Sequence, residues 1–454
     1  MKILFLATYF PRPLNLTIGT WALEQAKAFQ RASKEAPLRV TSVELRAHPV
    51  PASGGTISPA TSELPPVNSF RVISGNPWFP KISGKLKSGI RVYSDCPRSH
   101  SWDGVEVDYL PMLFYPFGKL DAIFNRVGEP MLRLGWWSIK GRLMKILEEF
   151  QPDIIYAHHT VPNGYFALRI HALTGIPFVV TDHEMGEITA CEIFPARRAV
   201  YEKVINAAHR MVSVAGVMRK DMERVFPQAR CEVIHNGMNL AQAPRESSAA
   251  PTPATSPSTL DPGLSTPLVI LSCGMFYERK NFPGLIQAFN LVAEKYPRVV
   301  LRIFGDGPDR LKVEHERYHS PFRERIELLG KVDHAEVLKQ MQVADIFALI
   351  GWREPFATVF LEAMAAGLPL IACDDGGIAE VIHSADVDAP ALDTPPNGLL
   401  VPPRDIPAAA RALEFLILNP KLRKQIGEAA RKKIEAELTW DAVAQKYIGI
   451  FERK

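Results

Sequence analysis

Short apolar runs alternate with longer segments of helical period along nearly the whole chain. In the first half Ile3–Ala7, Val40–Leu45, Ile154–Ala157, Phe178–Thr181, Met211–Val214 and Glu232–His235 read as strands. Trp21–Ala32, Met131–Glu149, Gly164–Thr174, Ala196–Ala208 and Val217–Val225 read as helices. In the second half the strands are Val269–Cys273, Val299–Phe304, Ile326–Leu329, Ile346–Ala348, Leu370–Ala372 and Gly398–Val401, and helices follow most of them. Such alternation predicts an α/β protein whose parallel sheets are covered on both faces. A run such as Ile3–Ala7, with no polar side, suits a strand buried on both faces.

Two stretches break the pattern. From about Ala241 to Pro267 the chain is mostly Ala, Pro, Ser and Thr, too poor in large apolar groups to build a core. The expected organisation is therefore an N-terminal domain over 1–240, a linker over 241–267 and a second domain over 268–435. The closing helix, 440–454, is expected to reach back onto the first domain. The second break, Pro49 to Ser101, is rich in Pro, Gly and Ser, with a strand candidate at Phe70–Ile73 and a fixed loop at Pro77-Trp78-Phe79-Pro80.

At 454 residues two or three domains are expected. A net charge of +4 is small for this length and argues against a nucleic-acid binder. Five scattered cysteines without a C-x-x-C pair argue against a disulfide framework or structural zinc and favour a reducing compartment. The apolar N-terminus stops too soon for a secretory signal, and no segment has the roughly 18 apolar residues that span a bilayer. A cytoplasmic protein is expected. The stretch Pro111 to Phe150 mixes Phe114, Tyr115, Phe117, Trp136 and Trp137 with Lys119, Arg126, Arg133, Lys140, Arg142 and Lys145. It fits an interfacial membrane helix, which would place the protein at the inner face of a membrane, and equally a core helix with a solvated basic face.

Doubly wound domains bind ligands at the carboxyl ends of their strands. Five loops of the second half lie there. Cys273-Gly274-Met275-Phe276-Tyr277-Glu278-Arg279-Lys280-Asn281 puts adjacent cations where a helix begins, as a diphosphate site or a solvated turn would. Phe304-Gly305-Asp306-Gly307-Pro308 offers close backbone approach but is neither a dinucleotide fingerprint nor a P-loop. Gly330-Lys331-Val332 could read a base edge with its backbone. Glu354-Pro355-Phe356 opens a small-residue helix, Phe356–Ala366, that carries Glu362 and ends at Gly367. Two acids on such a segment suit one ligand held at two points, with a phosphate at the helix N-terminus. Asp374-Asp375-Gly376-Gly377 is the fifth.

The order of these pieces, followed by Asn397-Gly398-Leu399-Leu400-Val401, resembles family 4 of the glycosyltransferases, retaining enzymes of the GT-B fold. The likeness is strongest over 270–450. In the first half it rests on Ile234-His235-Asn236-Gly237, Asp153-Ile154-Ile155-Tyr156-Ala157-His158 and the Gly19 loop. It implies two Rossmann-like domains facing across a cleft. It also implies that Arg279 and Lys280 neutralise a donor diphosphate in place of a metal, with no cofactor. Glu362 would grip the ribose, Glu354 the transferred sugar, and the backbone of Phe356, Ala357 and Thr358 the sugar and phosphate. Gly274, Gly305 and Val332 would line the donor site, Gly19 would approach the phosphates, and His158 would lie at the acceptor side. His159 and His183 remain rivals for that place. Met275, Tyr156 and Ala357 stand where many members have Arg, His and Gly.

The implied partners are a nucleotide-sugar donor and a carbohydrate or lipid-linked acceptor, with contact to an anionic membrane, in polysaccharide or glycolipid synthesis. The rival readings are a sugar-nucleotide epimerase or hydrolase on the same fold, and a non-catalytic partner subunit that keeps the pocket. The latter would have lost a cleft cation or carboxylate, and Arg279, Lys280, Glu354 and Glu362 are all present.

Overall fold

The structure is a computed structural model that describes residues 1–7, 9–13, 15, 19–32, 69–78, 93–113, 119–240, 267–384 and 396–453. The expected strand Val40–Leu45 and almost all of the expected linker lie outside these residues.

The first half carries β1 (Lys2–Ala7), α1 (Thr20–Ala32), β2 (Ser69–Pro77), β3 (Ser99–Trp102), β4 (Val105–Met112), α2 (Lys119–Val127), α3 (Glu129–Phe150), β5 (Ile154–His158), α4 (Tyr165–Thr174), β6 (Phe178–Asp182), α5 (Met185–Ile193), α6 (Pro195–Ala207), β7 (Arg210–Ser213), α7 (Gly216–Val225) and β8 (Cys231–Val233). Their sheet has the order β3-β4-β2-β1-β5-β6-β7-β8. β1 pairs in parallel with β2 and with β5, so Phe5 lies between Val72 and Tyr156. Apolar strand residues from Ile3 to Ala7 are almost wholly inaccessible.

The second half carries β9 (Leu268–Cys273), α8 (Phe282–Ala293), β10 (Val299–Phe304), α9 (Arg310–His319), β11 (Ile326–Gly330), α10 (His334–Val343), β12 (Ile346–Leu349), α11 (Thr358–Ala365), β13 (Leu370–Cys373), β14 (Leu399–Val401), α12 (Ile406–Leu418), α13 (Pro420–Glu437) and α14 (Trp440–Glu452). The sheet order is β11-β10-β9-β12-β13-β14, and its paired strands run parallel. By packing, Met1–Thr181, Phe194–Met211 and Ala444–Lys454 form one compact unit, and Asp182–Ile193 with Val212–Val443 the other.

In both sheets the strand order reverses beside the strand that comes first in the chain, at β1/β5 and at β9/β12. At such a switch point the loops leave the sheet on opposite faces and open a crevice. The loops after β9 and β12 are those that carry Arg279, Lys280 and Glu354.

Two details depart from the sequence reading. The hairpin β3–β4 begins at the end of the irregular Pro49–Ser101 stretch and lies mostly beyond it, over residues for which no strand was expected. Its strands pair antiparallel around Asp103 and Gly104, both at positive φ (49° and 87°). Asp-Gly is the dipeptide that a two-residue hairpin turn of this hand favours. The helix expected from Phe356 starts at Thr358, because Ala357 keeps an extended backbone (φ −67°, ψ 119°).

Candidate active site

Lys280 ends a single 3₁₀ turn, Glu278–Lys280, that follows β9. Its backbone N–H donates to the Tyr277 carbonyl at 2.9 Å. The turn is tied to the loop after β12, where the Trp352 N–H donates to the Arg279 carbonyl at 2.9 Å. That tie delivers Glu354 to the cations. The Lys280 Nζ lies 2.9 Å from Glu354 Oε2, and Arg279 Nε lies 3.6 Å from the same oxygen. Lys280 and Glu354 are both buried, while the Arg279 side chain is 37% exposed. A buried carboxylate is therefore compensated by one enclosed cation and one that faces solvent.

Neighbouring loops hold Glu354 in place. The Gly377 N–H donates to the Glu354 carbonyl at 2.8 Å. A Cβ on Gly377 would sit 1.7 Å from the Pro355 carbonyl oxygen, so only glycine admits this approach. Arg353, in a left-handed conformation (φ 46°), sends its N–H to Asp375 Oδ1 at 3.1 Å and its guanidinium to Asp221 Oδ2 at 2.7 Å.

Gly274 and Gly305 meet where two strand-end loops touch. A Cβ on Gly305 would be 1.9 Å from the Gly274 carbonyl oxygen. The protein's own packing thus demands this glycine, whatever a ligand needs. An open pocket of about 750 Å³ lies over the first loop, lined by Glu184, Met275, Tyr277, Arg279, Lys280 and Asp309.

Phe356 is buried and stacks on His235, with ring centroids 4.8 Å apart and planes 9° from parallel. Ala357 and Thr358 then begin α11, whose first N–H groups have no acceptor within the helix. Glu362 follows one turn later, and its Oε1 lies 3.1 Å from Nε2 of His334, the first residue of α10. Hydrogen bonding to Glu362 raises the His334 pKa above its ordinary value of 6.5 against the opposing effect of burial. Val332 is half-buried two residues before this histidine.

Sequence reasoning missed three contributors here. His334 shows no pattern beyond its place at a helix start. His235 was noted in Ile234-His235-Asn236-Gly237 but given no role; its Nδ1 lies 3.0 Å from the Val214 carbonyl. Glu380 receives the N–H groups of Gly216 and Val217 at 2.8 and 3.2 Å, so its carboxylate occupies the N-terminus of α7.

The other unit carries Gly19 and His158. Gly19 sits at φ 72° just before α1, and a Cβ there would lie 2.3 Å from the Tyr9 carbonyl oxygen. His158 ends β5 with its ring wholly enclosed. It stacks on Trp21 (4.8 Å, 18°), meets Phe5 edge-on (4.4 Å), and has Nε2 2.9 Å from the Tyr156 hydroxyl. His159, also buried, has a positive φ of 66° and meets the Tyr9 ring edge-on. His183 is half-buried. Tyr156 is a hub: its hydroxyl is 3.1 Å from Gln25 Nε2 and from Thr181 Oγ1, and Thr181 lies 3.1 Å from the hydroxyl of Tyr447 in α14. Complete burial pushes the Tyr156 pKa well up, so the phenol stays neutral.

Residues 262–433 match the family model of "Glycosyl transferases group 1", and residues 103–242 that of "Glycosyltransferase Family 4". The glycogen synthase of Mycobacterium tuberculosis is 26% identical over 328 residues, which is 70% of this chain and 72% of that one. The lipopolysaccharide core biosynthesis glycosyltransferase LpsD of Rhizobium meliloti is 24% identical over 335 residues, 73% of this chain and 83% of that one. Among solved structures, the sucrose-phosphate synthase of Thermosynechococcus elongatus superposes with a TM-score of 0.67 at 16% identity, covering 99% and 98% of the two chains. Anabaena HepE, solved in complex with UDP, does so with a TM-score of 0.61 at 16% identity and 99% coverage of both. These two neighbours share the GT-B fold.

Proposed function

The chain belongs to the group 1 glycosyltransferases, and from that membership we propose a retaining, metal-independent enzyme that moves a sugar from a nucleoside diphosphate to an acceptor hydroxyl. The observation that carries the reading is the placement of Lys280, Arg279 and Glu354 at the β9/β12 switch point, with Glu362 on the helix that follows.

In this reading the bond from the anomeric carbon to the diphosphate breaks as the bond to the acceptor oxygen forms on the same face. The acceptor proton passes to a phosphate oxygen. Negative charge grows on the departing diphosphate, and pre-placed cations there supply what is commonly the largest catalytic contribution. Lys280 and Arg279 fill that role without a metal, helped by the α11 N-terminus. Glu354 holds the transferred sugar and Glu362 the ribose. Gly274, Gly305 and Val332 line the donor site, and the backbone of Phe356, Ala357 and Thr358 meets sugar and phosphate. The family likeness also gives roles to Gly19 and His158, which lie on the other unit.

HepE is solved with UDP and glucose, and LpsD is named for lipopolysaccharide core biosynthesis. The former supports UDP-sugars as the first donors to try, and the latter an acceptor in cell-envelope polysaccharide or glycolipid. A thermal-shift screen of UDP-, GDP- and ADP-sugars identifies the donor, since ligand at 100 times Kd adds about 2.7 kcal/mol. With that donor, Lys280→Ala should lower kcat by orders of magnitude and Glu362→Ala should mainly raise the donor Kd. Wild-type kinetics in both variants would reject the assignment. Product release without acceptor, or an altered sugar nucleotide, would favour the hydrolase or epimerase reading.

A further inference from the structure

The outer face of α3 does not belong to the site described above. Its inner face is conventional: Leu132, Trp136, Ile139, Leu143, Ile146 and Leu147 are buried. The opposite face repeats at three- and four-residue steps through Arg133/Leu134, Trp137, Lys140/Gly141 and Lys145, all exposed. Trp137 is 72% exposed and Leu134 46%. A tryptophan so open on a regular helix is unusual, because the side chain carries a large apolar area.

Neighbouring elements extend the patch. The Leu113 N–H donates to Ser138 Oγ at 3.2 Å, which sets the exposed Leu113 against α3. The Trp78 N–H donates to the Met112 carbonyl, and Trp78 is exposed as well. The preceding helix, α2, exposes Ile123, Arg126 and Val127.

The charge is one-sided. No acid occurs between Glu129 and Glu148, while Arg133, Lys140, Arg142 and Lys145 do. Arg142 turns inward to Asp108, and Arg133 and Lys145 pair within the helix with the half-buried Glu129 and the exposed Glu149. Lys140 has no acidic partner among the described residues. The whole chain carries only +4, so this face is basic by local arrangement. Exposed tryptophan flanked by lysines is what the headgroup region of an anionic bilayer accepts, aromatic ring at the boundary and ammonium groups among phosphates. No helix among the described residues is long and apolar enough to cross a membrane, so the contact would lie along the surface.

We propose that the Leu134–Trp137–Lys140–Lys145 face of α3 is a docking surface for an anionic lipid bilayer. It supplies the membrane contact that a lipid-linked acceptor requires, but its evidence is independent of the sugar-transfer reading.

The test is flotation of the full chain with phosphatidylcholine vesicles, with and without phosphatidylglycerol. Binding is expected to the anionic vesicles only and to weaken as salt rises. The double variant Lys140→Glu/Lys145→Glu should lower the partition coefficient by about tenfold or more, since each cation near the surface matters severalfold. Trp137→Ser should weaken binding at every salt concentration. Both variants should keep the wild-type circular dichroism and melting midpoint, because the side chains are exposed. Failure of the wild-type chain to float with anionic vesicles would overturn the proposal, as would variants that float like wild type. Concentration-dependent self-association abolished by Trp137→Ser, without vesicle binding, would instead assign the face to a second copy. No sugar transfer enters this assay, so its failure leaves the catalytic reading standing.

Discussion

Removing Lys280 tests both the geometry and the chemistry of the candidate site. Lys280→Ala leaves the Glu354 carboxylate, itself only 8% exposed, with Arg279 at 3.6 Å as its remaining cation. Breaking a buried ion pair by deleting one partner typically costs about 3–5 kcal/mol, mostly from the charge left behind. Because Arg279 persists, the low end applies, about 3 kcal/mol. For a folded unit of 150–250 residues each kcal/mol moves the melting midpoint by about 2–4 °C, so a fall of about 6–12 °C is expected. Glu354→Gln removes the charge and should cost less. The double variant Lys280→Ala/Glu354→Gln should recover much of the single-variant loss, giving a favourable coupling in a double-mutant cycle. Differential scanning fluorimetry of the four proteins reads the stability arm, and donor turnover reads the chemical one. Strict additivity, or a Lys280→Ala midpoint within a degree of wild type, would refute the buried pair. Rescue of stability without rescue of turnover is the signature of a lysine needed by the reaction as well as by the fold.

The remaining predictions concern contacts around the same loops and the closing helix. The raised His334 pKa means that its contact with Glu362 stabilises the protein at low pH and is lost as pH climbs through a value above 6.5. Glu362 is freed over that same window, so donor affinity measured by calorimetry should rise across it in the wild type and stay flat in His334→Ala. Gly377→Ala places a methyl 1.7 Å from the Pro355 carbonyl oxygen and should displace Glu354; donor Kd should rise at least tenfold, and unchanged binding would discount the Gly377–Glu354 tie. Tyr447→Phe deletes the hydroxyl 3.1 Å from Thr181 Oγ1 and should cost about 1 kcal/mol by denaturant titration. A midpoint equal to wild type would show that this hydrogen bond adds nothing net.

What the sequence reveals and conceals follows from how far apart the interacting residues lie. Arg279, Lys280 and Glu354 were legible because each sits in a loop that leaves a strand the apolar pattern marks, and the α/β rule says where strand ends point; Glu362 was legible on the helix that follows. Their mutual distance was not legible. It depends on the Arg279–Trp352 backbone tie across two loops. Contributors found only in the structure have partners still more remote: Glu380 caps a helix 164 residues upstream, and Tyr447 reaches Thr181 across 266. No local period encodes such pairs. The β3–β4 hairpin was hidden differently, since its Asp-Gly signal stands next to a Pro- and Gly-rich stretch that dilutes any window average.

Tyr156 shows why a single motif letter is a poor guide to a role. Read in line, it is a departure from the histidine of many relatives, and its effect on the site is open. In the fold its hydroxyl lies between Gln25, Thr181 and His158, all buried with it. A histidine there would offer two ring nitrogens of fixed direction in place of one rotatable hydroxyl. The groups it now satisfies would have to change with it, as would Tyr447, whose ring lies 5.0 Å from its own. Burying any of these groups without a partner costs about 1–3 kcal/mol. The residue at 156 is thus coupled to one almost three hundred positions away, and so is the ring beside it, His158, the candidate for the acceptor side. Substitutions in α14 should therefore alter the setting of His158 without touching the donor loops.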